Sequence, residues 1–311
     1  MRVTTNMMSN SFLANLNTNL TSLQKYQMQL STGKRITKLS DDPVGVLGSM
    51  NARVKLARIN QYKENVGSVQ DILKQTETVL SELNKVLQTA YERAVQTSTG
   101  TLEDADRQKV AEEMAQLKEH VMTLGNTKVA NQYIFGGHNA TKAPFTMDVS
   151  GNLLYNGLDV TDTSNAAFQE QAGKNTVIEL GYDMTMTATI NGIELLGSGE
   201  SNIFNVLGQF TTALQNGSSE SELGEFMTKF ENLQSDVMAR TAEVGARSNR
   251  LTMIENRYEE DEINYTDIKS KVEDVDQADA IMQYKMAESV YLFALKIGSN
   301  ILQPTLVDYL K

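Results

Sequence analysis

The sequence predicts a mainly α-helical chain: a long antiparallel, coiled-coil-like helical bundle built from both chain halves, with an inserted small β-rich domain and paired terminal helices. Three observations carry this. Apolar residues step by alternating intervals of three and four in both halves, the spacing that keeps one seam of a helix against a partner. No proline lies between Pro144 and Pro304, so a helix of fifty residues or more is permitted in the second half. The segment between the two periodic blocks is instead rich in Gly, Asn, Thr and Ser and carries alternating runs.

At the N-terminus, Leu13, Leu16, Leu20, Leu23 and Leu30 lie on one helical face. At an ordering cost of about 1.5 kcal/mol per residue, these leucines do not offset folding that segment by itself. Both termini are therefore expected to be mobile in a lone monomer and helical once paired and assembled with neighbouring copies. The first long helix follows, with the seam Tyr62, Val66, Val69, Leu73, Thr76, Leu80, Leu83, Leu87, Ala90 and Ala94. After a short break at Thr97 to Thr101, Val110, Met114, Leu117, Val121 and Leu124 continue the pattern in a helix that should fold back antiparallel.

From Gly136 to Gly217 the reading is a β-rich insertion. Its strand signals are Val177 to Leu180 and Met184 to Ile190, with turns at Asn152, Asn156-Gly157 and Asn191-Gly192. The seam then resumes through Phe226, Phe230, Leu233, Val237, Val244, Leu251, Ile254, Tyr258, Tyr265, Ile268, Val272 and Val275. A terminal helix presents Met282, Met286, Val290, Phe293, Ile297 and Ile301 on one face, and Pro304 closes it. The expected domains are 1–45 with 275–311, a terminal helical part; 46–135 with 220–274, the long bundle; and 136–219, the insertion.

Composition excludes several functions. A net charge of -11 without a basic cluster argues against nucleic acid or an anionic membrane as partner. With no Cys, disulfide and thiolate chemistry are excluded. The start, MRVTTNMMSNSFLANLNTNL, lacks a continuous apolar core, so a cleaved secretory signal is not expected, and no window is apolar enough to span or insert into a membrane.

Candidate chemistry is sparse. Asp41-Asp42-Pro43 reads as a helix N-cap followed by Pro at the first helical position rather than a metal pair. The run Glu273 to Asp279 lacks the central Gly and bidentate Glu of a calcium loop and reads as a solvated helix face. His120 reads as exposed on a charged helix, and neither it nor His138 has a Cys partner. No nucleophile elbow, phosphate loop or zinc motif occurs, so no catalytic, cofactor or metal residues are assigned.

Leu30-Ser31-Thr32-Gly33-Lys34-Arg35-Ile36, followed by Leu39-Ser40-Asp41-Asp42-Pro43-Val44-Gly45, is similar to the N-terminal signature of the bacterial flagellin family. Val272-Glu273-Asp274-Val275-Asp276 and the helix after it resemble that family's C-terminus. Three segments resemble the hook-filament junction members more than flagellin itself: Met1 to Thr5, Asn131 to Gly137 with Thr141 to Phe145, and Leu306 to Leu310. The resemblance implies a structural protein of the bacterial flagellum rather than an enzyme. It would be exported unfolded by the flagellar type III apparatus and would form a ring between a hook-associated protein 1 type junction protein and flagellin. The implied partners are those two proteins, further copies of the chain, and a cytosolic export chaperone; no cofactor is implied. The implied assembly interface comprises Leu13, Leu16, Leu20, Leu23, Leu30, Gly33, Arg35, Met282, Met286, Val290, Phe293, Ile297 and Ile301. The alternative within the family is a flagellin filament monomer, which would polymerise when seeded instead of stopping at a ring.

Overall fold

The computed structural model describes residues 5–99, 103–148, 151–172 and 174–301. Pro304 and the Leu306 to Leu310 segment lie outside the described residues, as does Met1 to Thr4. In chain order the elements are α1 (Thr5–Thr32), α2 (Pro43–Ser98), α3 (Asp104–Gly125), β1 (Lys128–Val129), β2 (Gln132–Tyr133), β3 (Phe145–Met147), β4 (Leu153–Tyr155) and β5 (Leu158–Asp159). There follow α4 (Ala166–Ala172), β6 (Val177–Gly181), β7 (Met184–Thr187), α5 (Gly192–Leu196), α6 (Ile203–Gln215), α7 (Glu220–Glu273) and α8 (Gln277–Ile301). The chain divides into two compact units, Met1–Ile59 with Glu259–Lys311, and Asn60–Tyr258.

In the larger unit the predicted seam is the core. Val66, Val69, Leu73, Thr76, Leu80, Leu83, Leu87, Ala90 and Ala94 are all buried, and Tyr62, half-buried, stacks on Tyr258 with ring centroids 5.9 Å apart. The α7 seam is buried through Phe226, Phe230, Val237, Val244, Leu251, Ile254 and Tyr258, with Leu233 half-exposed. Gln70 donates to Glu255 at 2.8 Å while Ser98 lies 3.7 Å from the Met227 sulfur, so α2 and α7 run antiparallel. Arg93 pairs with Glu113 at 2.9 Å and Glu82 faces His120 at 3.8 Å. These two contacts bring α3 back antiparallel on α2, as expected from the short break, and leave His120 exposed.

Among the described residues, β1 and β2 form a small antiparallel sheet just ahead of the insertion, and the insertion holds two more, in the orders β3-β4-β5 and β6-β7. Asn156 and Gly157, at φ 51 and 84, make the expected two-residue turn between β4 and β5. Asn191-Gly192 does not make a turn of this kind. The Asn191 side chain accepts from the Glu194 amide at 2.7 Å and caps α5, so the run read as continuing to Ile190 leaves the sheet at Thr187. A helix the strand reading missed also lies here. α6 is capped by Asn202 and buries Ile203, Phe204, Val206, Leu207, Phe210 and Leu214, a helical spacing, packing against α3. Its Phe210 meets Phe226 and Phe230 at 5.2 and 5.5 Å, adding an aromatic cluster to the α7 seam.

The junction-like segments supply the packing of this region. Phe135 and Phe145 are buried, and the buried Tyr155 hydroxyl donates to the Phe135 carbonyl at 3.0 Å. Burial pushes the Tyr155 phenol up to about 12. A Cβ at Gly192 would stand 2.6 Å from both the Phe145 and Tyr155 rings. Gly192→Ala is therefore expected to destabilise the larger unit by about 1–3 kcal/mol, through overpacking, as read by chemical unfolding.

The smaller unit contains α1, the first part of α2, the last part of α7, and α8. α1 and α8 pack against each other. Val275 was read as a seam residue but lies beyond the end of α7, where its amide donates to the Gly33 carbonyl at 3.1 Å.

Candidate assembly interface

Two features dominate the smaller unit: a polar latch that ties the chain's two ends together, and an apolar stripe that the pairing leaves outside.

The latch begins at Gly33, whose φ of 67 suits a residue without a Cβ where α1 stops. The backbone then pairs with the far end of the chain: Lys34 bridges to Asp274, and the Arg35 amide donates to the Glu273 carbonyl at 2.7 Å. The Glu273 side chain is buried and accepts two hydrogen bonds from Arg53, at 2.7 and 2.9 Å, and one from Ser49. Lys34 Nζ lies 3.3 Å from Glu273 and 2.5 Å from Asp274. These donors, Arg53 first, hold the Glu273 carboxyl at about 2 against the cost of its burial. Reading the Glu273 to Asp279 run as a solvated face is thus corrected. Glu273 is the buried centre of a latch, and Asp276 caps α8 by accepting from the Ala278 amide at 2.9 Å. Sequence periodicity could not show this, because the basic partners lie more than two hundred residues away.

The same linker explains the Asp-Asp-Pro motif. Asp41 accepts from the Thr37 and Lys38 amides at 3.1 and 2.9 Å, which closes the turn. Asp42 caps α2 by accepting from the Gly45 amide at 2.9 Å, ahead of Pro43 at the first helical position. A Cβ at Gly45 would sit 2.5 Å from the Asp42 carboxylate, so glycine keeps that cap open. Arg35 joins Asp42, at 3.2 Å, to the Val272 carbonyl, at 3.0 Å.

The stripe follows from which side of α8 is buried. Ala280 and Gly298 are buried, and Tyr284, Ala287, Tyr291 and Ala294 between them are half-buried. These six residues alternate by four and three and form the covered seam. The ring of Phe12 lies over Gly298, where a Cβ would approach it to 2.2 Å. Small residues therefore let α1 come close. The large apolar residues fall on the opposite side: Met282, Met286, Val290, Phe293 and Ile297 are 49–67% exposed.

On α1, Leu16, Leu20, Leu23 and Leu30 are half-buried, whereas Leu13 is 48% exposed. Gly33 and Arg35 belong to the latch and not to the stripe. Ile301 ends α8, and its side chain lies outside the described residues. Among the described residues no group of His, Cys, Asp and Glu could hold a metal, and no helix is long and apolar enough to cross a membrane.

Comparison with known proteins agrees with this geometry. Residues 3–140 match the family profile of the bacterial flagellin N-terminal helical region. Flagellar hook-associated protein 3 of Escherichia coli is 28% identical over 302 residues, covering 93% of this chain and 93% of that protein. The chain is similar to proteins of the flagellin family from one end to the other. The flagellin of Bacillus subtilis is also similar over most of its length, at 24% identity over 91% of this chain and 90% of its own. Among solved structures, FlgL of Bacillus cereus superposes with a TM-score of 0.55 at 25% identity, covering 70% of this chain and 97% of that one. The latch residues Gly33 to Asp42 lie inside the matched flagellin N-terminal region, and their partners Glu273 and Asp274 come from the other end of the chain.

Proposed function

We propose that the chain is a non-enzymatic structural component of the bacterial flagellum, a ring-forming adaptor that joins the hook, through another hook-associated protein, to the flagellin filament. The observation that carries this reading is the full-length similarity to hook-associated protein 3, together with a terminal helix pair whose large apolar residues face outward. An unpartnered stripe of this kind is what a subunit needs when its burial is completed by neighbours. The assembly interface would be Leu13 and the Met282, Met286, Val290, Phe293, Ile297 and Ile301 side of α8. The half-buried Leu16, Leu20, Leu23 and Leu30 would hold the pair together, and Gly33 and Arg35 would fix its attachment.

In this reading the chain has three parts. Residues 1–45 with 275–311 line the inner tube, residues 46–135 with 220–274 surround it, and residues 136–219 project outward. Partners are further copies of the chain, a hook-associated protein 1 type protein, flagellin and a cytosolic export chaperone. Export unfolded through the flagellar type III apparatus fits a cysteine-free chain, which has no disulfide to trap in transit.

Deletion of the gene tests the reading. Mutant cells are expected to build hooks but release flagellin monomers into the medium, and normal filaments in the mutant would refute it. The similarity to Bacillus subtilis flagellin supports a second reading, a filament monomer. Seeding the purified chain separates the two: long filaments identify a flagellin, and arrest after about one ring identifies the adaptor.

A further inference from the structure

The smaller unit carries two more exposed faces that neither the latch nor the α1/α8 pair uses. On α2, Ala52 and Ile59 are buried with Ser49, which points that side inward. The opposite side should be polar on an amphipathic helix in water. It is not: Leu47, Met50 and Val54 are 50–63% exposed, and Val44 and Leu39 beside them 81% and 70%. Leu47, Met50 and Val54 also step by three and four, so α2 bears a second seam opposite its first. Between Pro43 and Ile59 the charged residues are Arg53, Lys55 and Arg58, with no acidic residue. Arg53 is taken up by Glu273, which leaves Lys55 and Arg58 at the edge of this seam.

The last part of α7 has the opposite character. Between Glu259 and Asp267 there are Glu259, Glu260, Asp261, Glu262 and Asp267, and no basic residue. On the side of the helix away from the buried Ile254 and Tyr258, Ile263 is 69% exposed, flanked by exposed Glu259, Glu260 and Asp267.

We infer that the apolar, basic face of α2 in one copy docks on the acidic face around Ile263 of α7 in a neighbouring copy. The occupant is a second copy because both halves of the complementary pair sit on the same unit of the same chain. Leu47, Met50 and Val54 receive Ile263, and Lys55 and Arg58 oppose Glu259 and Glu260. Pairing α2 with α2 or α7 with α7 brings like charges together and is disfavoured, so the contact joins unlike faces. The contact is heterologous, each copy offering α2 to one neighbour and α7 to the next, as a ring or helical array requires. This rests on the proposed reading that copies assemble side by side, and it names the faces that do so.

The test is a charge exchange in full-length chains expressed in the deletion strain, with flagellin released into the medium as readout. Lys55→Glu with Arg58→Glu is expected to raise release at least tenfold, and so is Glu259→Lys with Glu260→Lys. Combining all four substitutions in one chain is expected to restore retention. Each variant is checked for an unchanged melting temperature, since all four side chains are exposed. Retention by either pair of substitutions alone, or failure of the combined chain to recover, overturns the inference. A second measurement uses the absence of native cysteine. Mixed chains carrying Leu47→Cys or Ile263→Cys should give, with a short bismaleimide, a cross-link between the two different variants; only same-variant products would overturn it. A deletion strain with normal filaments would refute the adaptor reading itself, so the two failures are distinguishable.

Discussion

Phe293→Glu with Ile297→Glu leaves the isolated chain as stable as the parent, within about 0.5 kcal/mol, and reduces its incorporation into flagella at least 100-fold. The first half follows from exposure: at 67% and 57% these side chains contribute little to the fold of a single copy. The second follows from burial in the assembly. Completing the burial of two such side chains is worth about 1–1.5 kcal/mol each. Unpaired carboxylates at the same place add a desolvation cost, and about 2.8 kcal/mol already corresponds to 100-fold. Sedimentation and thermal unfolding of the monomer, set beside the amount of the protein retained on purified flagella, check both halves. Gly298→Val is the contrast. It drives a side chain into the Phe12 ring and should lower monomer stability, because it strikes the covered side of α8. Normal incorporation of the doubly charged variant would remove the stripe from the interface.

Glu273→Gln loosens the latch by roughly 2–3 kcal/mol and reduces its acid sensitivity. Glu273 ionises at about 2 in the folded chain, well below its ordinary 4.5. A carboxyl depressed in this way adds stability that is complete above the ordinary value and is lost as pH falls toward the folded one. The latch should therefore hold at constant strength above about pH 5 and weaken steadily between about pH 4.5 and pH 2. The magnitude is kept below the full shift because the Arg53 side chain is 61% exposed and solvent screens its charge. Hydrogen exchange of α1 and α8 amides at pH 5, 4 and 3 reads the effect. The parent should open progressively, while the glutamine variant, already looser, should show a shallower slope, the remainder coming from Asp42 and Asp274. An equal slope in both would mean that another carboxyl sets the acid response.

The two features answer different physical needs. The latch joins Gly33 to Arg35 with Glu273 and Asp274 inside one chain, so each copy presents its terminal pair at a defined place. In the proposed assembly the stripe would supply the apolar area that neighbouring copies cover. Pairing through Ala280, Ala287, Ala294 and Gly298 keeps the larger residues available, since small residues let two helices approach closely and leave Met, Phe and Ile to face outward.

What the sequence by itself determined is what depends on local spacing. Residues 62–94 and 226–258 had to be long helices with one buried seam, because the three-four repeat admits no other regular structure that buries every position. Asp42-Pro43 had to start α2, and Asn156-Gly157 had to turn a hairpin, since each satisfies its backbone from adjacent residues. What only the tertiary structure decided is whatever depends on the identity of the partner. Periodicity marked Met282, Met286, Val290, Phe293 and Ile297 as one apolar side of α8 but could not say that α1 takes the opposite, smaller-residue side. Charge pattern placed Glu273 in water, and its burial depends on Arg53, Ser49 and Lys34 arriving from the other end of the chain. Asn191-Gly192 reads as a turn until Phe145 and Tyr155 pack over the glycine and make it the start of a helix. Local sequence fixes which backbone conformations are cheap, and the choice among surfaces is made by contacts between residues that the chain order keeps far apart.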